Sequence, residues 1–327
     1  MADGHERTNF DVVVVGGANM DYLVKGSELP RPGATVTARL FQEAPGGKGA
    51  NQAVAVARLG GRVALVASVG TDARGDAIVQ RLAEEDVDTS ALVRESRAPT
   101  GVALVAVDAS GEKQIAWVPG ANEKLDRSAV AAAADLFVDA RIALVQLEIP
   151  TDTVRATIRL ARAAGVRVVL DPAPPIPLRE ELLREIHVIR PNASEARVLT
   201  GIEVTDRSSA RRAAQNLLRQ GVRAACVGAP GGNLLLSDEG ETWLPHLPVE
   251  VVDATGAGDA FAGGLALALA EGRDLADAAR FAHAASALAT TKVGAQAGLP
   301  RRDAVLELLG SMERAPAGAA APEHPPP

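Results

Sequence analysis

The sequence predicts an α/β fold with a mainly parallel central sheet flanked by helices and a small antiparallel β lid. Runs of β-branched and apolar residues recur along the chain, which is typical of strands buried on both faces. Helical patterns separate these runs, and this alternation favours a parallel sheet covered on both sides. Two regions, 20–42 and 100–118, break the alternation with short strands and turns, so we expect a lid over the ligand crevice. A decorative sheet edge is the alternative.

The elements follow from the pattern in chain order. The predicted strands cover 11–16, 62–69, 141–147, 166–170, 186–190 and 222–228. The predicted helices cover 49–59, 126–138, 151–164, 206–220 and 260–271. Asp126 and Thr151 are candidate N-caps, and Gly221 is a candidate glycine just past a helix end. We expect one domain over 1–313 and a disordered Pro- and Ala-rich tail over 314–327.

Composition limits the function classes. The chain has 327 residues, of which 47% are hydrophobic and only 2% are aromatic. So few aromatic rings argue against a stacking platform for single-stranded nucleic acid. The net charge of −7 gives no basic footprint for DNA or RNA, and it would repel an anionic ligand. Any phosphate site must therefore be built locally.

The number of cysteines and the N-terminal residues predict the cellular compartment of the protein. Cys226 is the single cysteine, so no disulfide can form within the chain. The start, MADGHERTNF, lacks the apolar core of a secretory signal. The most apolar helix candidate, 260–270, is too short to span a bilayer. We expect a cytoplasmic protein with neither a membrane nor a nucleic-acid partner.

Polar residues follow two of the predicted strands. Asn19 and Asp21 lie in GGANMD directly after the first strand, and Glu148 ends QLE after another. Open α/β sheets bind ligands at the carboxyl ends of their strands. Amide and carboxylate groups there can bind adjacent sugar hydroxyls. The alternatives are Asx-turn residues for GGANMD and an exposed strand-end charge for Glu148.

Two further stretches precede helices. In APGGKGANQA, glycines allow close backbone approach to a ligand, and Lys48 and Asn51 can donate hydrogen bonds; its spacing is not that of a P-loop. In RPNASEARVLTG, Asn192 and Glu195 share a helix face and can orient water around Mg²⁺. The alternatives are a loop that caps a helix and a capping box.

The stretch DATGAGDAFAGG, 253–264, is the most specific of the candidates. Gly256, Ala257 and Gly258 precede Asp259 at the start of a helix. Unpaired first-turn amides carry partial positive charge, so bare amides here form an anion hole. Asp259 can accept a proton from a hydroxyl held beside that hole. We expect the helix terminus to keep this carboxylate ionised at neutral pH.

Taken together, these motifs resemble the ribokinase or PfkB family of sugar kinases. DATGAGDAF is similar to the family's C-terminal signature and GGKGANQA to its N-terminal one. GGANMD, QLE and PNASE stand in the family's order, and the resemblance covers roughly residues 10–310. It implies ATP-dependent phosphorylation of a sugar's primary hydroxyl, O5 in the case of ribose. It also implies Mg²⁺, a monovalent cation, usually K⁺, and a homodimer formed through the lid.

The resemblance also assigns roles to residues. Asp259 would be the general base, and the amides of Gly256, Ala257 and Gly258 would stabilise the transferred phosphoryl group. The sugar would be held by Asn19, Asp21, Gly47, Lys48, Asn51, Glu148 and Asp259. The nucleotide side would be formed by Asn192, Glu195, Gly228, Gly231, Gly232, Asn233, Gly258 and His283. The monovalent cation would be bound by Asp253, Thr255, Ala289, Lys292, Gly294 and Gly298.

Three positions depart from the family pattern. GAPGGN at 228–233 replaces a Thr-Leu-Gly-x-x-Gly loop, Trp117 replaces a smaller apolar residue, and Gly298 replaces a polar residue at the cation site. They leave the phosphate donor, the exact sugar and the K⁺ dependence open. D-ribose is the expected substrate. The alternatives are a related kinase acting on a nucleoside, fructose or a deoxy or keto sugar acid, and a non-catalytic sugar sensor.

Overall fold

The structure is a computed structural model that describes residues 10–314. Its strands are β1 (Val12–Val15), β2 (Asn19–Gly26), β3 (Ala38–Gly46), β4 (Val63–Val66), β5 (Ser68–Gly70), β6 (Val93–Glu95), β7 (Gly101–Val107), β8 (Lys113–Val118), β9 (Ile142–Val145), β10 (Arg167–Leu170), β11 (Val188–Ile189), β12 (Ala224–Ala229), β13 (Gly232–Ser237) and β14 (Gly240–Pro245). Its α-helices are α1 (Lys48–Arg58), α2 (Ala73–Glu84), α3 (Arg127–Ala132), α4 (Thr151–Ala163), α5 (Glu180–Leu183), α6 (Ala193–Thr200), α7 (Arg207–Arg219), α8 (Ala257–Ala270), α9 (Leu275–Ala289), α10 (Ala295–Gly298) and α11 (Arg302–Arg314). The tail expected over 314–327 lies outside the described residues, apart from Arg314.

Eight strands form the central sheet, in the order β14-β13-β12-β11-β10-β9-β1-β4. The strands from β12 to β4 are parallel, and the β13–β14 hairpin adds an antiparallel edge. In β1, Val12 and Val14 belong to the core beneath α1, α8 and α9, while Val13 and Val15 belong to the core beneath α4 and α7. Alternate side chains point to opposite faces, so a doubly covered strand must be apolar throughout. The predicted fold class is confirmed.

Helix α8 packs closely against two neighbouring helices. A Cβ at Gly263 would lie 2.7 Å from the Cβ of Ala55 in α1, and one at Gly264 would lie 3.2 Å from the Cα of Ala282 in α9. The glycines therefore set the spacing of α8 from both helices. This matters for the site because α1 carries Asn51 and α8 carries Asp259.

The lid is a four-stranded sheet in the order β3-β2-β7-β8. Its two outer pairs are antiparallel, whereas the central strands β2 and β7 run parallel. The expectation of an antiparallel lid is therefore wrong for its middle pair. Parallel pairing requires a long crossover, and here the chain between β2 and β7 includes β3, α1 and α2. Strand β2 begins four residues after β1, which anchors the lid at the carboxyl edge of the main sheet.

The helix boundaries follow the sequence signals with two differences. Asp126 caps α3 through bonds from the amides of Ser128 and Ala129, but the helix predicted over 126–138 divides into α3 and a separate 3₁₀ turn. Pro150, not Thr151, is the N-cap of α4, because its carbonyl accepts the first amides of the helix. Gly221 follows α7 at φ 106°, as predicted. Across the described residues, no helix combines the length and apolarity needed to cross a membrane.

Candidate active site

Helix α8 begins at a turn that requires glycine. Gly256 is its N-cap at φ 82°, a conformation that residues with a Cβ rarely adopt. A Cβ there would also lie 2.9 Å from the backbone of Ala295. Gly258 and Asp259 follow in the first turn, where amides have no partner within the helix. The predicted anion-hole residues and the carboxylate therefore lie in one helical turn, but the Ala257 amide is not bare, because it donates to the Ala254 carbonyl at 3.3 Å.

Asp259 is buried and held by two side-chain amides from α1. Asn51 Nδ2 donates to its Oδ2 at 2.9 Å, and Gln52 Nε2 donates to its Oδ1 at 3.1 Å. The residues come from opposite ends of the chain, and the tight packing of α1 on α8 brings them together. The prediction linked Asn51 to the sugar and did not identify Gln52.

Asp171 is a second carboxylate of this site that the sequence analysis missed. Its Oδ2 accepts from Gln52 Nε2 at 2.7 Å and lies 3.7 Å from Lys48 Nζ. Its Oδ1 is buried and has no hydrogen-bond partner among the described residues. Asp171 directly follows β10, so the strand-end rule applied to Asp21 and Glu148 would have found it.

Burial shifts the pKa of Asp259 in the direction opposite to that expected from a helix terminus. Burial raises the pKa of Asp259, and the Asp171 carboxylate adds to this, while Lys48 and the two amides lower it only in part. Burial thus opposes the ionised form that the helix terminus was expected to favour, and ionisation at neutral pH stays a prediction. For Lys48, burial opposes the charged form, but the surrounding carboxylates outweigh it and raise its pKa. Desolvation is therefore the largest effect on the pKa of Asp259, and Lys48 is the counter-charge for the neighbouring carboxylates.

Several of the residues predicted to bind the sugar lie together at the carboxyl ends of β1 and β9. Glu148 Oε2 accepts from the backbone amide of Lys48 at 2.8 Å. Asp21 lies against Gly46, where a Cβ would be 2.0 Å from its Oδ2. Gly47 has φ 87°, and a Cβ there would lie 2.6 Å from the amide of Asn19. The glycines of GGKG thus let polar groups from two strand ends approach one another.

Asp21 and Glu148 both have strongly raised pKa values. Burial, with a smaller contribution from the Asp259 charge, raises the pKa of Asp21 to about 7. Burial also raises the pKa of Glu148 to about 7, against the lowering effect of Lys48. Such an acid can accept a hydrogen bond from a hydroxyl group when ionised and donate one when protonated, and clusters of perturbed acids are typical of functional sites.

Trp117 contacts this group from the lid. Its Nε1 donates to Asn19 Oδ1 at 3.4 Å, and Asn122 Nδ2 donates to the same oxygen at 2.7 Å. The ring therefore lies at the acceptor end and does more than pack within the lid. Asn122 is buried and was not predicted as part of the site.

A cleft of about 550 Å³ lies beside the start of α8. Gly228, Gly232, Asn233, His283 and Ala257 are among its lining residues. The stretch GAPGGN forms the turn of the β12–β13 hairpin, with Gly231 in the turn at φ 84°. Gly228 and Gly232 thus line a cleft that reaches the start of α8, whereas Gly231 is not among its lining residues.

His283 lines this cleft, and its two hydrogen bonds fit a neutral imidazole. Asn233 Nδ2 donates to its Nδ1 at 3.1 Å, and its Nε2 donates to the Pro245 carbonyl at 2.8 Å. Burial lowers the pKa of His283, which agrees with one ring nitrogen accepting and the other donating.

Asn192 and Glu195 form the capping box of α6. Asn192 Oδ1 accepts from the Glu195 amide at 2.9 Å, and Glu195 Oε2 accepts from the Asn192 amide at 2.8 Å. The capping box, which was the alternative interpretation of Asn192 and Glu195, is therefore present. Burial, reinforced by Asp171, raises the pKa of Glu195, so this carboxylate faces the same acidic cluster.

The residues predicted for a monovalent cation lie in one loop region. Asp253 Oδ2 accepts from the Gly294 amide at 2.9 Å, and its Oδ1 accepts from the Thr255 amide and hydroxyl. A Cβ at Gly298 would lie 2.4 Å from the Ala289 carbonyl oxygen and 3.5 Å from that of Lys292.

Two basic residues near these loops were not identified from the sequence. Lys113 Nζ, from the first residue of β8, lies 3.0 Å from Asp253 Oδ1 and also donates to Thr255 Oγ1. Arg190 lines the cleft, stacks 5.0 Å from the Phe261 ring, and lies 2.9 Å from where a Gly258 Cβ would be. No local pattern marks Lys113, because folding of the lid creates its contact.

Comparison with known proteins agrees with this geometry. The family model "pfkB family carbohydrate kinase" matches residues 9–302. The ribokinase of Haemophilus influenzae is 38% identical over 299 residues, which cover 91% of this chain and 98% of that protein. The ribokinase of Bacillus subtilis is 36% identical over 91% of this chain and 99% of its own length.

A solved structure shares the architecture. It is Arabidopsis thaliana ribokinase complexed with ribose and ATP, which superimposes with a TM-score of 0.83 at 33% identity and covers 92% of this chain and 99% of that one. With the matched family model, these similarities show that the chain belongs to the pfkB family of carbohydrate kinases.

Proposed function

We propose that this protein transfers a phosphoryl group from ATP to the primary hydroxyl of D-ribose, giving D-ribose 5-phosphate. One observation carries the proposal: Asp259 lies in the first turn of α8, close enough to Asp21 for its charge to raise the pKa of Asp21, and Ala257 of the same turn lines the cleft. The similarity to ribokinases, one of them complexed with ribose and ATP, supports both substrates.

In the proposed mechanism, the protein mainly positions its substrates. Phosphoryl transfer depends on alignment and charge stabilisation more than on covalent catalysis. Asn19, Asp21 and Glu148 bind the sugar hydroxyls, which orients the primary hydroxyl towards Asp259. Asp259 accepts the hydroxyl proton, and its raised pKa makes it a stronger base than an exposed aspartate. The first-turn amides of α8 stabilise charge on the transferred group.

The nucleotide occupies the cleft in this proposal. Gly228, Gly232 and Asn233 border it, with His283 behind Asn233. The altered loop at 228–233 was the feature that favoured a non-catalytic sensor. It forms a hairpin turn with glycines at positive φ, which leaves backbone close to the cleft and supports nucleotide binding.

Mg²⁺ fits two carboxylates that act on one another, Glu195 and Asp171, which would hold it. Asp171 Oδ1 has no hydrogen-bond partner among the described residues and offers an acceptor for its bound water. Within residues 10–314, no group of three or more His, Cys, Asp or Glu side chains could cage a metal. Mg²⁺ needs no such cage when substrate phosphates and water complete its shell. When bound, it would neutralise phosphate charge.

We also propose a homodimer formed through the outer face of the lid. Phe41, Leu104 and Ile115 expose 63%, 52% and 63% of their surface on that sheet. An apolar sheet face of this kind marks an association surface. Light scattering of the purified protein should give twice the chain mass, and Phe41→Asp should reduce it to a monomer. A cytoplasmic location remains a prediction from the sequence.

The direct test of function is a sugar panel. Purified protein with ATP and Mg²⁺ should release ADP with D-ribose, and the panel should include deoxyribose, fructose and nucleosides. Calorimetric titrations with ribose and with ATP separate an inactive binder from an enzyme. Turnover of another sugar without turnover of ribose would contradict the substrate assignment, and ribose binding without ATP binding would favour the sensor.

A further inference from the structure

A lid lysine already neutralises the acidic residue of the expected cation site. Lys113 Nζ lies 3.0 Å from Asp253 Oδ1 and also donates to Thr255 Oγ1. Its side chain is 28% exposed and that of Asp253 is 13% exposed, so the pair is largely shielded from water. The contact joins the lid to the loop that leads directly into the anion hole at Gly256.

The Asp253 carboxylate is largely occupied already, and the oxygens beside Gly298 are the uncharged carbonyls of Ala289 and Lys292. Asp253 Oδ1 already accepts from Lys113 and from the amide and hydroxyl of Thr255, and Oδ2 accepts from the Gly294 amide. Gly298 offers no side-chain oxygen, and even a Cβ there would lie 2.4 Å from the Ala289 carbonyl oxygen. A free cation on the same carboxylate would also be repelled by the Lys113 ammonium, an interaction that strengthens as solvent is excluded.

An ammonium group can replace such a cation chemically. It carries one positive charge in a compact head with three donors on a flexible stem. Held against Asp253 and Thr255, it supplies the counter-charge and fixes the loop that precedes Gly256. We propose that Lys113 is the built-in monovalent cation of this protein and positions the anion hole without K⁺.

The position of Lys113 ties this function to the lid. It is the first residue of β8, paired with Val107 of β7, so its ammonium moves with the lid sheet. The ion pair with Asp253 therefore joins the lid sheet directly to the loop that precedes Gly256.

The test builds on the proposed sugar-kinase function and compares cations at constant ionic strength. Activity is first established in KCl, and kcat and KM are then measured in choline chloride for the parent protein, Lys113→Gln and Lys113→Arg. Lys25→Gln, an exposed lysine of the same lid sheet, is the matched control. Thermal unfolding in KCl and in choline chloride gives a readout that does not depend on activity.

The expected results separate the two proposals. The parent and Lys25→Gln keep at least half of their kcat/KM in choline, and KCl gives them no specific rise in Tm. The kcat of Lys113→Gln falls tenfold or more in choline chloride and returns to the parent value in KCl. Its Tm rises specifically with K⁺. The kcat and Tm of Lys113→Arg stay close to those of the parent in both salts. A parent that loses more than tenfold without K⁺ overturns the inference, as does a Lys113→Gln variant that behaves like the parent in both salts. Absence of turnover in every salt instead contradicts the kinase proposal.

Discussion

The two aspartates of DATGAGD lie six residues apart and have opposite electrostatic environments. Asp259 is buried beside Asp171, and its pKa is raised. For Asp253, burial also opposes ionisation, but bonds from Thr255, Gly294 and Lys113 outweigh it and lower the pKa to about 2. A shared motif therefore does not imply a shared role. The partners that folding brings to each carboxylate decide whether it is suited to accept a proton or to remain a fixed charge.

Removing the proton acceptor should give the largest effect. We expect Asp259→Asn to lower kcat by about 10²–10⁴-fold, the range typical of a lost general base. The measurement is ADP release with ribose, and Asp152→Asn, an exposed aspartate of α4, is the control. A variant that kept more than a tenth of the parent kcat would remove Asp259 from its proposed role.

The same substitution at the other aspartate should have the larger effect on stability. Asp253→Asn loses charge-assisted bonds to Lys113 and to the Gly294 amide, so we expect the free energy of unfolding to fall by about 1–3 kcal/mol. Asp259→Asn should lower it less at pH 8, because it removes a buried charge. Urea unfolding of both variants measures the contrast, and equal losses would contradict it.

The pH dependence should differ in sign between the two sites. A group whose folded pKa is raised stabilises the protein at low pH and loses that contribution as pH rises. Relative to the parent, Asp259→Asn should therefore gain stability between pH 4 and pH 8. Asp253 has a depressed pKa, so its contribution is complete above about pH 4 and falls as pH drops towards 2. Urea unfolding at pH 3, 4, 6 and 8 tests both slopes, and parallel curves would refute the difference.

The hydroxyl beside Asp253 should contribute least. Thr255→Val keeps the side-chain shape but removes the bond from Oγ1 to Asp253 Oδ1, which measures 2.6 Å, and the bond that Oγ1 accepts from Lys113. We expect a loss of about 1 kcal/mol in unfolding free energy, because Lys113 and two amides still hold the carboxylate. A loss as large as that of Asp253→Asn would mean that the hydroxyl, not the ion pair, holds the loop. Thermal unfolding of the two variants side by side decides between them.

Local pattern was sufficient for the strands and the principal motifs. The valines of β1 predict a strand covered on both faces, and Gly256 predicts a helix start with exposed amides. Both depend on steric and burial rules that act within a few residues. The error in the start of α4 is a shift of one residue. Pro150 is the N-cap in place of the predicted Thr151, because the Pro150 carbonyl accepts the first amides of the helix.

The sequence by itself determined the α/β class, the order of the motifs and the placement of Asp259 at a helix start. Only the tertiary structure placed Gln52 and Asp171 beside Asp259, and Lys113 beside Asp253. These contacts join residues more than one hundred positions apart, so no local spacing encodes them. The pKa directions depend on the same contacts, because burial and neighbouring charges set them and both exist only once the chain has folded.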